Sequence, residues 1–148
     1  MMKRLNPPNY FLILLFLSIL INFVFPIKKI ILLPYSYLGI FFLVLGIILN
    51  LWTDRVFKQN KTTVKPNENP IKLITSGPFR ISRNPMYLGM LFILLGAAIL
   101  LGTTVTFIFP FVFFVVIEFL FIPMEERNLE KVFKNTYLDY KRKVRRWI

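Results

Sequence analysis

Between Met86 and Met124 the chain runs for 39 residues with one charged side chain, Glu118. As a single α-helix rising 1.5 Å per residue that run would be about 58 Å long, roughly twice the hydrocarbon core of a bilayer. It must turn back, and Gly102-Thr103-Thr104 is its best turn. Two more uncharged runs lie upstream: Tyr10–Ile27, interrupted only by Ser18 and Asn22, and Ile30–Trp52. The first ends in Asn22-Phe23-Val24-Phe25-Pro26 with no small-residue cleavage pattern, so it reads as an uncleaved span rather than a signal peptide. With 56% hydrophobic residues in 148, there is too little chain to bury this much Leu, Ile and Phe in water, and lipid is the expected solvent.

The predicted fold is all-α. It is an integral-membrane bundle of four transmembrane helices with a cytoplasmic amphipathic C-terminal helix, one domain over 1–148. Spans are expected at about 10–27, 30–52, 86–101 and 105–122, with a cytoplasmic loop over 53–85 and a tail over 123–148. Pro110 is expected to bend the last span. Gly39 and Gly46 share a helix face, and Gly89, Gly96, Ala97 and Ala98 thin the third span, as close helix packing in lipid prefers.

Charge sets the orientation. Of 19 Lys and Arg, 17 fall in the amino-terminal segment (Lys3, Arg4), the second connection or the tail, leaving Lys28 and Lys29 for the opposite side. The positive-inside rule places both termini and the long connection in the cytoplasm. The net charge of +12 is then topological and faces anionic headgroups, which argues against a nucleic-acid partner. With no Cys and no His, thiol nucleophiles, disulfides and Cys- or His-based metal sites are excluded. Chemistry falls to carboxylates, Arg, Lys, Tyr, Asn and backbone groups.

Two cytoplasmic segments carry such groups. In the second connection, Lys58–Asn69 reads as irregular loop, but Gly77-Pro78-Phe79-Arg80-Ile81-Ser82-Arg83-Asn84-Pro85 places a Gly-Pro turn and two arginines just before a membrane helix. Asn84 precedes proline and is pushed toward extended geometry, while Pro85 suits a first helical turn. Arg80 and Arg83 either snorkel to phosphates or help a helix amino terminus bind an anionic group. In the tail, Leu129, Phe133, Tyr137, Tyr140, Val144 and Trp147 recur at helical spacing, a face expected to lie on the membrane or cover the bundle. Glu125 and Glu126 are about 100° apart on a helix and cannot face one partner; they are either acids favoured at a helix start or ligands for a cationic or hydroxylated cofactor. Glu118 needs a partner or a proton inside a span, and in a regular helix it shares the side of Glu125.

From about Leu73 to Ile148 these segments resemble the isoprenylcysteine carboxyl methyltransferase and phospholipid methyltransferase group of membrane enzymes. That group carries a Gly-x-[Tyr/Phe] turn leading to Arg-His-Pro-x-Tyr-x-Gly, a helical hairpin, then Glu-Glu and a tail with two tyrosines. Here the corresponding residues are Gly77 and Phe79; Arg83, Asn84, Pro85, Tyr87 and Gly89; Glu125 and Glu126; and Tyr137 and Tyr140. The resemblance implies S-adenosylmethionine, held by the Arg83–Gly89 segment, Gly77 and Glu125/Glu126, with Arg83 and Glu126 as the catalytic pair. It also implies a lipophilic or lipid acceptor reaching the site from the bilayer, and no metal. Glu118, Tyr137 and Tyr140 are secondary candidates for contacting the acceptor. Asn84 stands where the group has His: it can hydrogen-bond a cofactor but cannot move a proton near neutral pH, which favours carboxylate or thiolate acceptors over amines. Two other readings compete. One is an NADPH-dependent membrane reductase similar to the steroid reductases, with Lys141–Arg146 anchoring the extra phosphate; the other is a non-catalytic scaffold or lipid-binding protein.

Overall fold

The computed structural model describes residues 6–25, 28–60 and 71–148. Lys3, Arg4, the Pro26–Ile27 end of the first predicted span, and residues 61–69 of the predicted irregular loop lie outside them. The described chain is mostly helical, with one isolated bridge between Lys29 and Thr103; its helices are α1 (Pro7–Val24), α2 (Leu38–Gln59), α3 (Pro85–Leu101), α4 (Ile108–Val116), α5 (Ile122–Phe133) and α6 (Asn135–Lys143). A 3₁₀ turn over Thr104–Phe107 leads into α4, and a π-helical turn over Ile117–Phe121 joins α4 to α5. Three stretches are long and apolar enough to cross a membrane: Pro7–Val24, Tyr35–Gln59 and Thr104–Phe133; Pro85–Leu101 is a shorter apolar helix. Exposed Leu12, Phe16, Phe41, Ile48, Phe111 and Phe119 give the outer surface the apolar character that lipid requires. This is an integral membrane protein.

The second helix is displaced from its predicted limits. Residues 30–34 are not helical, because Ile30 and Ile31 donate their N–H groups to the Gly102 carbonyl (2.7 and 3.1 Å) across the end of α3, and Pro34 disfavours a helix before it. At its other end α2 runs past the polar boundary at Thr53 to Gln59, through residues expected to be loop. Thr53 is buried with its hydroxyl on the Leu49 carbonyl (2.7 Å), and the exposed Asp54–Lys58 pair (2.6 Å) spans one turn of the extension.

Helix α3 is central, with α2 on one side and α1 and α4 on the other. A methyl group on Gly46 would lie 2.5 Å from the Gly89 carbonyl oxygen, and one on Gly96 2.6 Å from that of Gly39, so α2 and α3 meet backbone to backbone. Gly102, with φ of 72°, ends α3 in a left-handed cap, its N–H on the Ala98 carbonyl. Leu94, Phe113, Ile117 and Ile122 form the apolar core with Tyr87 and Phe121, covered by Tyr10 and Phe11 of α1.

At about 45 Å, the 30-residue helix from Thr104 to Phe133 is longer than the hydrocarbon core, so its polar last turns extend beyond it. Pro110 falls in the first turn of α4, where a missing N–H costs little; the ladder changes instead at the π turn before Pro123. Pro123 cannot donate to the Phe119 carbonyl, and the widened turn accommodates that loss. The tail is not one helix. It breaks at Lys134, whose φ of 47° is unusual for a residue with a side chain, and α6 ends at Lys143. Across the break Leu129, Phe133, Tyr137, Tyr140 and Val144 still reach one cluster with Val56, Ile74 and Phe79, whereas Trp147 packs with the main core.

Gly46→Val should wedge α2 from α3 at a cost of about 1–3 kcal/mol. Thermal unfolding in detergent is expected to show a clearly lower midpoint, while the lipid-facing Ile47→Val changes it little.

Candidate functional site

The polar groups of the molecule gather where the chain enters α3 and leaves the long α4–α5 helix. Gly77, in a left-handed conformation (φ 62°), opens a 3₁₀ turn, and the Tyr140 hydroxyl donates to the Phe79 carbonyl (2.7 Å), tying that turn to α6. Ser82 is buried: its hydroxyl accepts the Asn84 N–H (3.0 Å) and donates to the Arg146 carbonyl (3.2 Å). Asn84 is the residue before α3, at φ −128° and ψ 57°, and Pro85 occupies the first turn. The Asn84 side-chain amide donates to the same Arg146 carbonyl (3.0 Å), and the Arg83 N–H donates to the Arg145 carbonyl (3.0 Å). Residues 144–148 thus return along the start of α3 as a strap.

Glu126 is the centre of charge. Arg83 Nη1 meets its Oε1 at 2.9 Å; Arg146 donates Nε to Oε1 (3.2 Å) and Nη2 to Oε2 (2.9 Å). The Glu126 and Arg83 side chains are only 8% and 9% exposed, so each charge depends on the other. Lys141 lies 3.7 Å from Glu126 Oε2 and 2.7 Å from Glu130. Arg83 Nη1 also reaches the Tyr137 hydroxyl at 3.5 Å, while Arg83 Nε is buried with no hydrogen-bond partner. Glu125 turns the other way, as its neighbouring position requires, and accepts the Tyr87 hydroxyl across the helix pair.

Glu118 departs from expectation. It sits with Glu126 rather than Glu125, accepting from Arg146 Nη1 and from Trp147 Nε1 (2.8 Å). The π turn inserts about one residue into the helical register, so the i+8 position falls where i+7 would in a regular α-helix. Gly77 and Gly89 serve packing: a methyl on Gly77 would stand 3.3 Å from Val56, and Gly89 abuts Gly46 and Asn50. Tyr140 braces the 3₁₀ turn. The structure therefore brings Arg83, Asn84, Glu126 and Tyr137 together with Glu118, pairs Tyr87 with Glu125, and sets Gly77 and Gly89 in close backbone packing and Tyr140 on the 3₁₀ turn.

Sequence reasoning gave Ser82 no role of its own, saw Trp147 only on the apolar face of the tail, and saw Arg146 only as one of a basic run offered to an extra phosphate. Lys141 and Arg146 are instead paired with carboxylates. The need of Glu118 for a partner was the one signal that pointed toward Arg146.

Burial, and then the charge of Glu126, push the Tyr137 hydroxyl up to about 12, with Arg83 opposing; burial also raises Tyr140. Hydrogen bonding to Glu126 holds Arg146 above the ordinary arginine value. Chemically, the cluster offers a buried guanidinium with an unspent donor, and a half-buried carboxylate, Glu125, on a tyrosine.

Glu126→Ala strands Arg83 and Arg146, and a loss of about 3–5 kcal/mol is expected in denaturant unfolding, against little for Glu130→Ala. Because Tyr137 holds its proton more tightly folded than unfolded, stability should fall as pH rises from its ordinary 10.0 toward 12. That fall, followed by unfolding midpoints, is expected to be shallower in Tyr137→Phe.

The phospholipid methyltransferase family model matches residues 35–136 of the chain. A protein of Haemophilus influenzae, described as uncharacterized, is 41% identical over 63 residues, covering 43% of this chain and 100% of that one.

Proposed function

The chain belongs to the phospholipid methyltransferase family, and from that premise we propose that it uses S-adenosylmethionine to methylate a lipophilic acceptor at the cytoplasmic face of the membrane. One domain of four spans carries this activity, with α3 as the short span, both termini cytoplasmic and α6 lying against the inner side. The strong asymmetry of Lys and Arg across the spans supports that orientation.

The observation that carries the reading is the buried Nε of Arg83, which has no hydrogen-bond partner among the described residues. S-adenosylmethionine has a carboxylate, an ammonium, ribose hydroxyls and a sulfonium, and when bound it supplies an electrophilic methyl group. Its carboxylate suits the spare donor of Arg83, which Glu126 keeps oriented through Nη1. Its ammonium or ribose suits Glu125, which spends one oxygen on Tyr87 and accepts no other hydrogen bond among the described residues. Glu126 already accepts two hydrogen bonds from Arg146 and pairs with Arg83, so its part is to position Arg83 rather than to take the ammonium. Asn84 spends its amide on the strap and contributes the backbone that shapes the adenosine side, with Pro85, Tyr87 and Gly89 behind it.

Methyl transfer is an in-line displacement, and orientation alone can supply about 7–11 kcal/mol of barrier lowering. The residues bind both ends of the donor, exclude water and leave the bilayer side open to an acceptor. With no His, a carboxylate or thiolate acceptor needs no general base and is favoured over a protonated amine. Tyr137 and Glu118, both members of the polar cluster, are the residues proposed to contact the acceptor head.

Titration of the purified protein with methyl-labelled S-adenosylmethionine tests this. The unaltered protein should bind saturably. Arg83→Lys, which keeps a charge on Glu126 but removes Nε, and Glu125→Gln should each weaken binding about tenfold to a hundredfold, with unfolding midpoints close to the parent. Absence of binding by the unaltered protein would overturn the assignment; full affinity in both variants would move the cofactor elsewhere.

A further inference from the structure

Arg146 touches more of the polar cluster than any other described residue, yet it comes from the strap and is none of the residues that match the family pattern. Its guanidinium lies flat on Glu126, Nε to Oε1 and Nη2 to Oε2, and turns its remaining nitrogen, Nη1, to Glu118. Trp147 Nε1 holds the other oxygen of Glu118, and the Trp147 ring rests on Phe114 at 5.1 Å, so that carboxylate has a fixed place. The carbonyl of Arg146 accepts from both Ser82 and Asn84. One residue therefore joins the start of α3 to the end of the long helix.

This arrangement bears on Arg83. Two oxygens of a carboxylate ordinarily pair with two parallel N–H groups of one guanidinium. On Glu126 that two-pronged position is taken by Arg146, so Arg83 meets one oxygen through Nη1 alone and its Nε is left buried and unsatisfied. An unpaired N–H in a buried guanidinium is costly unless a ligand answers it. Without the fork of Arg146, both oxygens of Glu126 are open to Arg83, whose N–H groups would close on them.

We infer that Arg146 is a positioning residue for the cofactor site, occupying Glu126 with its fork so that the Nε of Arg83 stays available for the carboxylate of the methyl donor. Glu118 and Trp147 hold Arg146 in that orientation, and the π turn puts Glu118 in register to do so. The inference rests on the methyl-transfer reading above, but it can fail separately.

The test compares binding of S-adenosylmethionine with that of its decarboxylated analogue, using full-length protein in detergent. The unaltered protein should prefer the carboxylated form by about tenfold or more, the value of a charge-assisted contact. Arg146→Gln should bind both forms alike, at the affinity the parent has for the decarboxylated one. Arg146→Lys restores the charge but not the fork, so it should recover the unfolding midpoint without recovering the preference, and it serves if the Gln variant does not fold. Trp147→Phe keeps the ring on Phe114 and should reduce the preference only in part. A merely structural role would lower affinity for both ligands equally and leave the preference intact; that result, or full preference in Arg146→Lys, overturns the inference. A parent that binds neither ligand overturns the methyltransferase reading itself, whereas a parent that binds both equally overturns the contact between Arg83 and the carboxylate, and this inference with it.

Discussion

A carboxylate almost wholly withdrawn from solvent holds this molecule together where the chain enters α3. Glu126 leaves the long helix at a depth where an unpaired charge would cost several kcal/mol, and two arginines from distant parts of the chain answer it. One, Arg83, stands just before α3; the other, Arg146, comes from the strap beyond α6. Because neither can leave without stranding the others, the loop, the helix end and the strap form one unit. The membrane helices could pack without this unit, but the polar chemistry would then have no fixed geometry.

The bilayer explains where that unit lies. Each apolar stretch needs lipid contact, and α2 and α3 approach closely through Gly39, Gly46, Gly89 and Gly96, with no hydrophobic drive between them. The helix from Thr104 to Phe133 is too long for the hydrocarbon core, which carries its glutamates to the interface where arginines and headgroups are found. The π turn before Pro123 then resets the register, turning Glu118 toward Arg146 while Glu125 faces Tyr87. A single inserted residue thus decides which acids share a partner.

Much of the site was legible because its parts are local. Asn84-Pro85 reads as a helix start, Glu125-Glu126 reads as two divergent acids, and the spacing of Leu129, Phe133, Tyr137 and Tyr140 reads as one apolar face against the membrane or the bundle; each follows from backbone geometry over a few residues. Arg146 was not legible, since it lies among Lys141, Arg142, Lys143 and Arg145 and its carboxylates are 20 and 28 residues away. The limits of α2 were misplaced for a related reason. Hydropathy marks where lipid contact ends, whereas a helix continues as long as its hydrogen bonds do, and the bonds from Ile30 and Ile31 to Gly102 are long-range.

From the sequence by itself come the all-helical class, the membrane as solvent, the turn at Gly102 and the two segments rich in chemistry, because hydrophobicity, charge and turn propensity act over one helix or less. The tertiary structure alone decided which charges meet, that Arg146 takes the paired face of Glu126, and that Arg83 keeps a donor unspent. Those outcomes depend on register and on the path of residues 144–148, and in a low-dielectric interior a shift of one residue exchanges one partner for another at a cost no local preference can offset.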